Sequence, residues 1–123
     1  MALVGVIAAP RPSEADRIAE AVQGFALAAQ ERRGEDACGL LTPRARQAVA
    51  ARTGTLDCAT TIRSFGFGID AAALRAARIA GVRVVGSRAT IASEQLLQPD
   101  GSPFDRGLAL ERTGDDWRIA ELT

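Results

Sequence analysis

The hydrophobic pattern of this chain changes period once, near residue 76. Before that point apolar residues recur at steps of three and four in an alanine-rich stretch that holds both cysteines. After it, β-branched and other apolar residues alternate in short runs that close on Asp116-Trp117-Arg118-Ile119. A period near 3.6 requires helices and a period of two requires strands. The order therefore predicts an α+β domain in which N-terminal helices pack on one face of an antiparallel sheet. A chain of 123 residues is the size of one domain, and folding buries roughly two thirds of its unfolded surface.

Ser13-Glu14-Ala15-Asp16 is a variant capping box, with acidic residues placed to suit the helix dipole. Ile18, Val22, Phe25 and Ala29 then share one face, and Gly34 reads as the stop, so the first helix is expected over about Glu14 to Arg33. Glu35-Asp36 opens a short second helix through Ala37, Cys38, Leu40 and Leu41. Thr42-Pro43 restarts the helix, a capping hydroxyl before a proline at the first helical position, and the segment continues to Gly54. Asp57 caps a further helix carrying Cys58, Ile62 and Phe65 on one face before Gly66 ends it. Asp70 followed by Ala71, Ala72, Ala73 and Leu74 reads as one or two more turns.

In the second half, Ala77 to Val85 and Arg88 to Leu96 are expected to pair as a hairpin about Gly86-Ser87. Pro99-Asp100-Gly101-Ser102-Pro103 is the strongest turn cluster in the chain. A third strand follows at about Arg106 to Arg112. After Gly114-Asp115, a fourth strand runs from Asp116 to Leu122, with Trp117 and Ile119 on one side.

Composition narrows the chemistry. The chain has no His, Tyr, Lys or Asn, and 15 Arg balance 15 Asp and Glu. Without Lys there is no Schiff base, and without His there is no Ser-His-Asp or Cys-His arrangement. Ser64, Ser87, Ser93 and Ser102 consequently have no base to activate them. Zero net charge lacks the one-signed excess of a nucleic-acid partner. Gly66-x-Gly68 lacks the third glycine of a dinucleotide loop, and no cofactor or metal is expected. Arg75, Arg78, Arg83 and Arg88 fall across the change of period, so their side chains should scatter over a solvated face. Asp70, Glu94, Asp105 and Glu111 lie where a pocket carboxylate would have to sit, and each is expected to be a surface charge. Trp117 is expected to anchor the core.

Cys38 shares a helical face with Leu41 and Ala45, and Cys58 shares one with Ile62 and Phe65, which turns both sulfurs toward the core. Two readings stand: a disulfide closing a loop of about 20 residues, worth about 3 kcal/mol, or two separate buried thiols. Two cysteines and no third is the parity of an oxidised staple, and an exported context would favour it.

The first ten residues carry Leu3-Val4-Gly5-Val6-Ile7-Ala8-Ala9 without a charge, too short to span a bilayer alone. Residues 1–12 are read either as a packed or disordered tail or as the trailing end of a longer hydrophobic anchor leading into Pro10-Arg11-Pro12.

The long first helix ending in Arg33-Gly34-Glu35-Asp36, the run Ala37-Cys38-Gly39-Leu40-Leu41-Thr42-Pro43-Arg44-Ala45-Arg46, the second cysteine at Cys58 and the ending Gly114-Asp115-Asp116-Trp117-Arg118-Ile119 together resemble the cone-shaped superfamily of nuclear transport factor 2-like and SnoaL-like domains. The resemblance covers about residues 14 to 122. More narrowly, the chain resembles small actinobacterial exported or membrane-anchored proteins of unassigned function that carry such a cysteine pair. It implies a cystatin-like cone fold, a curved sheet wrapped against the long helix around a pocket that different members use for isomerisation, cyclisation, dehydration or no catalysis. The Tyr and His on which the enzymatic branches rely are absent from this sequence.

The expected protein is thus a single domain over residues 13–123, stapled between Cys38 and Cys58. It is expected to act outside the cytoplasm as a non-catalytic binding or accessory module for a small apolar ligand or a partner protein. The N-terminus is the candidate membrane tether, and a cytoplasmic location is the alternative. One rival is a small-molecule isomerase or cyclase-type enzyme using one pocket carboxylate with an Arg as stabiliser. Another is a structural domain that forms a homodimer through its exposed sheet face.

Overall fold

The structure, a computed structural model, describes residues 13–54, 57–66 and 71–122. The tail over 1–12, the Phe67-Gly68 pair and Asp70 lie outside the described residues. Helices come first: α1 (Glu14–Gln30), α2 (Gly34–Gly39), α3 (Pro43–Ala51), α4 (Cys58–Phe65) and α5 (Ala71–Ala76). Strands follow: β1 (Arg78–Ile79), β2 (Arg83–Val85), β3 (Arg88–Ile91), β4 (Leu96–Leu97), β5 (Leu108–Thr113) and β6 (Asp116–Leu122). The architecture is α+β, as the change of period requires.

Helix starts fall where side-chain chemistry puts them. The Ser13 hydroxyl accepts from the Asp16 amide at 3.1 Å while the Asp16 carboxylate accepts from the Ser13 amide at 3.3 Å, a reciprocal cap. Thr42 Oγ1 accepts from the Ala45 amide at 3.1 Å, with Pro43 at the first helical position. Asp57 Oδ1 accepts from the Thr60 amide at 2.7 Å. Each cap needs only residues three apart, which is why it can be read locally.

The first helix stops at Gln30, three residues earlier than its pattern suggests, and Gly34 does not stop it. The left-handed turn falls on Arg32, with φ 55°, whose guanidinium donates to the Ser64 carbonyl at 3.1 Å. Gly34 is instead the buried first residue of α2, and a Cβ there would sit 2.8 Å from the Ala59 carbonyl carbon and 2.9 Å from its Cα. Its lack of a side chain lets α2 lie directly on α4. α2 also ends at Gly39, short of Leu41, because the next residues bond to the sheet. The Thr42 amide donates to the Ile119 carbonyl at 2.9 Å, and the Ile119 amide donates to the Leu40 carbonyl at 2.8 Å. Phe65 does not join Cys58 and Ile62 in the core; it is 61% exposed at the last turn of α4.

The main sheet is antiparallel with strand order β2-β3-β5-β6, and β1 pairs with β4 in a separate two-stranded ladder. The hairpin about Gly86-Ser87 forms, with Val85 opposite Arg88 and Gly86 at φ 60°. Its arms are shorter than expected. The Ala80 amide donates to the Gln95 carbonyl at 2.7 Å, and a 3-10 turn at Ser93–Gln95 breaks the returning arm. The chain thereby passes from one ladder to the other, giving two short pairings in place of one long one. Between β5 and β6 the register slips at Ala109/Leu110, leaving Ala120 as the extra residue of a bulge.

Helices cover one face of this sheet. Ile18, Val22 and Phe25 of α1, Leu41, Ile62 of α4 and Leu74 of α5 meet Ile91, Leu108, Leu110, Trp117 and Ile119 in one buried cluster. The other face is polar: Arg88 bridges Glu111 at 3.0 Å and Glu121 at 3.2 Å across three strands. Ala109, opposite Thr90 and Glu121 on that side, is buried without belonging to the core cluster.

Gly34→Ala should lower unfolding free energy by about 1–3 kcal/mol, the range of an overpacked contact that cannot relax. Gly39→Ala, in the same helix with nothing within 4 Å of its added Cβ, should change it by less than about 0.5 kcal/mol. Urea unfolding of both variants beside the parent measures the difference.

Candidate functional site

The two cysteines meet. Cys38, in the second turn of α2, and Cys58, the first residue of α4, form a disulfide with Cα atoms 6.2 Å apart and a sequence separation of 20. The bond lies beside the Gly34–Ala59 contact, so the two short helices are held by a close backbone approach and by a covalent link. A disulfide is the mark of an oxidising environment. No helix among the described residues is long and apolar enough to cross a membrane.

Of the acids singled out as pocket candidates, the three among the described residues are not brought together. Glu94 is exposed on the 3-10 turn, Asp105 is exposed before β5, and Glu111 is exposed on the polar sheet face with Arg88. The arginine stripe also scatters. Arg75 donates to Gln30 at 3.3 Å, Arg88 is held by two glutamates, and Arg78 and Arg83 lie in different sheets. Ser102 donates to Asp100 Oδ1 at 2.6 Å as part of its turn.

Among the described residues, apolar side chains are buried between helices and sheet. Twelve of the largest side chains there, from Ile18 and Phe25 to Leu110 and Ile119, are less than 2% exposed. Thr42 and Thr61 are the buried polar residues among those described, and both are satisfied: Thr42 caps α3, and Thr61 Oγ1 donates to the Asp57 carbonyl at 2.8 Å. Among the described residues no buried side-chain nitrogen or oxygen lacks a partner.

Trp117 is in the core, 4% exposed, as its place on the last strand suggests. Its indole Nε1 donates to Glu14 Oε2 at 2.6 Å, while Arg112 Nη1 donates to Glu14 Oε1 at 3.0 Å and its guanidinium carbon lies 5.7 Å from the indole centre. One carboxylate at the first turn of α1 thus fastens that helix to β5 and β6. Sequence reasoning missed this cluster, because Glu14 and Trp117 are 103 residues apart and Glu14 reads locally as a dipole-matching residue.

Recesses lie at the surface. One of about 570 Å³ is walled by α1 through Arg17 and Glu20, by the end of α2 through Gly39 and Leu40, and by the β5–β6 turn through Asp115, Asp116 and Arg118. Ala21 and Trp117 complete its lining. Five charged side chains of both signs therefore surround one solvent-open depression. Arg33, Arg63, Arg88 and Arg112 each contact a carboxylate. Arg118 instead donates to the Gly39 carbonyl at 3.3 Å. A second recess of about 550 Å³ lies beside β2, lined by Ala80 to Arg83 with Thr90, Ala92 and Gln95.

Comparison with protein-family models, with curated proteins and with solved structures finds no match for this chain.

Two measurements follow from the α2–α4 junction. Reduction, or the double substitution Cys38→Ala with Cys58→Ala, should lower stability by about 3 kcal/mol, the chain-entropy value for a loop of this length; urea midpoints with and without reductant read it. Hydrogen bonds from the Thr60 backbone and side chain, helped by the Arg63 charge, hold the Asp57 carboxyl below the usual carboxylate range. Its contribution is therefore complete above the unfolded carboxylate value of about 3.9 and is lost as pH falls through the lower folded value. Asp57→Asn keeps a capping side chain, so stability at pH 7 should change little while the fall toward pH 3 becomes smaller. An unchanged acid limb would remove Asp57 from that account.

Proposed function

We propose that this domain is a non-catalytic binding or accessory module of an oxidising, extracytoplasmic compartment, built on the helices-over-sheet plan of the cone-fold superfamily. The observation that carries the reading is the burial of apolar side chains between helices and sheet. The helix–sheet interior, where an enzyme of this plan would hold its substrate, is occupied by the protein's own apolar side chains. Recognition then falls to the surface, and the recess between α1, the end of α2 and the β5–β6 turn is the candidate for it.

The lining argues for a polar partner. Arg17 and Arg118 present positive charge, and Glu20, Asp115 and Asp116 present negative charge around one opening. Of the two partners expected from sequence, a small apolar ligand or a partner protein, a protein segment carrying both signs matches that lining better. Glu20, Asp115 and Asp116 are exposed to solvent. Compartment is supported by the Cys38–Cys58 bond. The apolar stretch Leu3 to Ala9 is the segment through which such a module would be held at a membrane.

The test is a two-dimensional NMR titration of the labelled domain with two probe sets, small apolar fragments and short peptides carrying both charges. The charged peptides should shift amides of Arg17, Glu20, Gly39, Asp115 and Arg118, and Arg118→Glu should reduce those shifts at least fivefold. Shifts centred on Phe25, Ile62 and Leu110 with apolar fragments would show that the interior opens, and would favour the enzymatic alternative.

A further inference from the structure

We infer that the free edge of the main sheet, strand β2, pairs with β2 of a second copy of this chain in one register, antiparallel about a two-fold axis at Val84. The two edges of the sheet are treated differently. Beyond β6, the Leu40–Thr42 segment bonds to Ile119 from the outside and occupies that edge. Nothing among the described residues pairs with the outer side of β2. Among the described residues the large apolar side chains left exposed are Phe65, Val84 at 38% and Val85 at 64%, and the two valines stand side by side on this edge. An open edge with exposed β-branched residues is a template for another strand.

The ladder fixes which strand fits. Val85 and Arg88 flank a two-residue turn and form its closing bonded pair, so Val84, opposite Ala89, turns its amide and carbonyl away from β3. Arg83 and Val85 turn theirs inward. A two-fold axis at Arg83 or Val85 would therefore face groups already engaged, and at Arg83 it would also set two guanidinium groups opposite each other. An axis at Val84 avoids both conflicts. Val84 of each copy exchanges two hydrogen bonds with Val84 of the other, and both side chains lie on the core side of the joined sheet. Arg83 falls opposite Val85 of the second copy, so its methylene stem covers the most exposed valine while the charge stays in water.

The same register accounts for the recess beside β2. Antiparallel pairing about Val84 brings the hairpin turn of each copy toward the Ala80–Arg83 wall of the other's depression. Three residues of edge bury far less than the roughly 1,200 Å² of a stable complex. The expected dimer is therefore reversible and populated only at high concentration.

Two experiments on the full chain test this. In sedimentation equilibrium over a wide concentration series, the parent should show a monomer–dimer equilibrium, and Val84→Pro should weaken it at least tenfold. That substitution removes the outward amide without taking a bond from β3. Independently, Val84→Cys should oxidise to a covalent dimer, since a bonded pair brings Cα atoms to about 5.5 Å, whereas Thr113→Cys, on β5, should not; the parent holds no free thiol among the described residues. A monomer throughout with no cross-link at Val84 would leave the edge to a strand of a different protein and overturn the proposal. So would a dimer that survives Val84→Pro unchanged.

Discussion

The structure depends on one junction, where α2 lies on α4 so closely that Gly34 touches the Ala59 backbone and Cys38 is bonded to Cys58. Helices of six and eight residues are too short to persist by themselves, because nucleation costs more than a turn or two of hydrogen bonds returns. Packing has to hold them. Here a missing side chain permits the approach and a covalent bond fixes it, and the alanine-rich helices need both because small side chains bury little area each. Ile62 then reaches the core from α4 and Ala37 from α2, closing the helical layer over Ile18, Val22 and Phe25.

From that junction the chain leaves along the sheet. α2 ends at Gly39, and Leu40 to Thr42 bond to both backbone groups of Ile119, so the last strand is edged by the segment that the disulfide positions. At the far end of α1, Glu14 ties the helix to Arg112 and Trp117. The long helix is thus anchored at its start by a charge-assisted pair and near its end by the α2–α4 layer. Two hydrogen bonds to a half-buried carboxylate are stronger than neutral ones, and they orient the indole that fills that end of the core.

What could be read from sequence was what is local. The caps at Ser13, Thr42 and Asp57, the turn at Gly86-Ser87, the stop at Gly66 and the last strand each depend on residues three or four apart, and each is present. The cysteine pair was legible as far as faces and parity go, since both sulfurs sit on apolar faces. Whether they met depended on the crossing of two helices, and the sign of that crossing was Gly34. Gly34 was misread because a glycine after a helical run looks like a terminator, whereas its partner, Ala59, is 25 positions away. Phe65 failed for the opposite reason: it has the right spacing on α4, but the helix runs past the edge of the layer beneath it. The broken hairpin arms reflect a competition between ladders. β-branched runs say only that a strand forms, and the Ala80–Gln95 bond decides with which partner.

The surface recess is where these local and distant effects combine. Its charged residues were visible in the sequence as ordinary solvated side chains, and nothing in their spacing joins Arg17 and Glu20 to Asp115, Asp116 and Arg118. The fold joins them by laying α1 beside the β5–β6 turn. Gly39 and Leu40 supply the remaining wall, and they follow directly on Cys38, so the disulfide sets the position of one side of the opening. The Arg118 hydrogen bond to the Gly39 carbonyl then links that wall to β6. A chain without His, Tyr or Lys has few groups for proton transfer near neutral pH. At the recess a wall held by a covalent bond limits the ordering that binding would otherwise require.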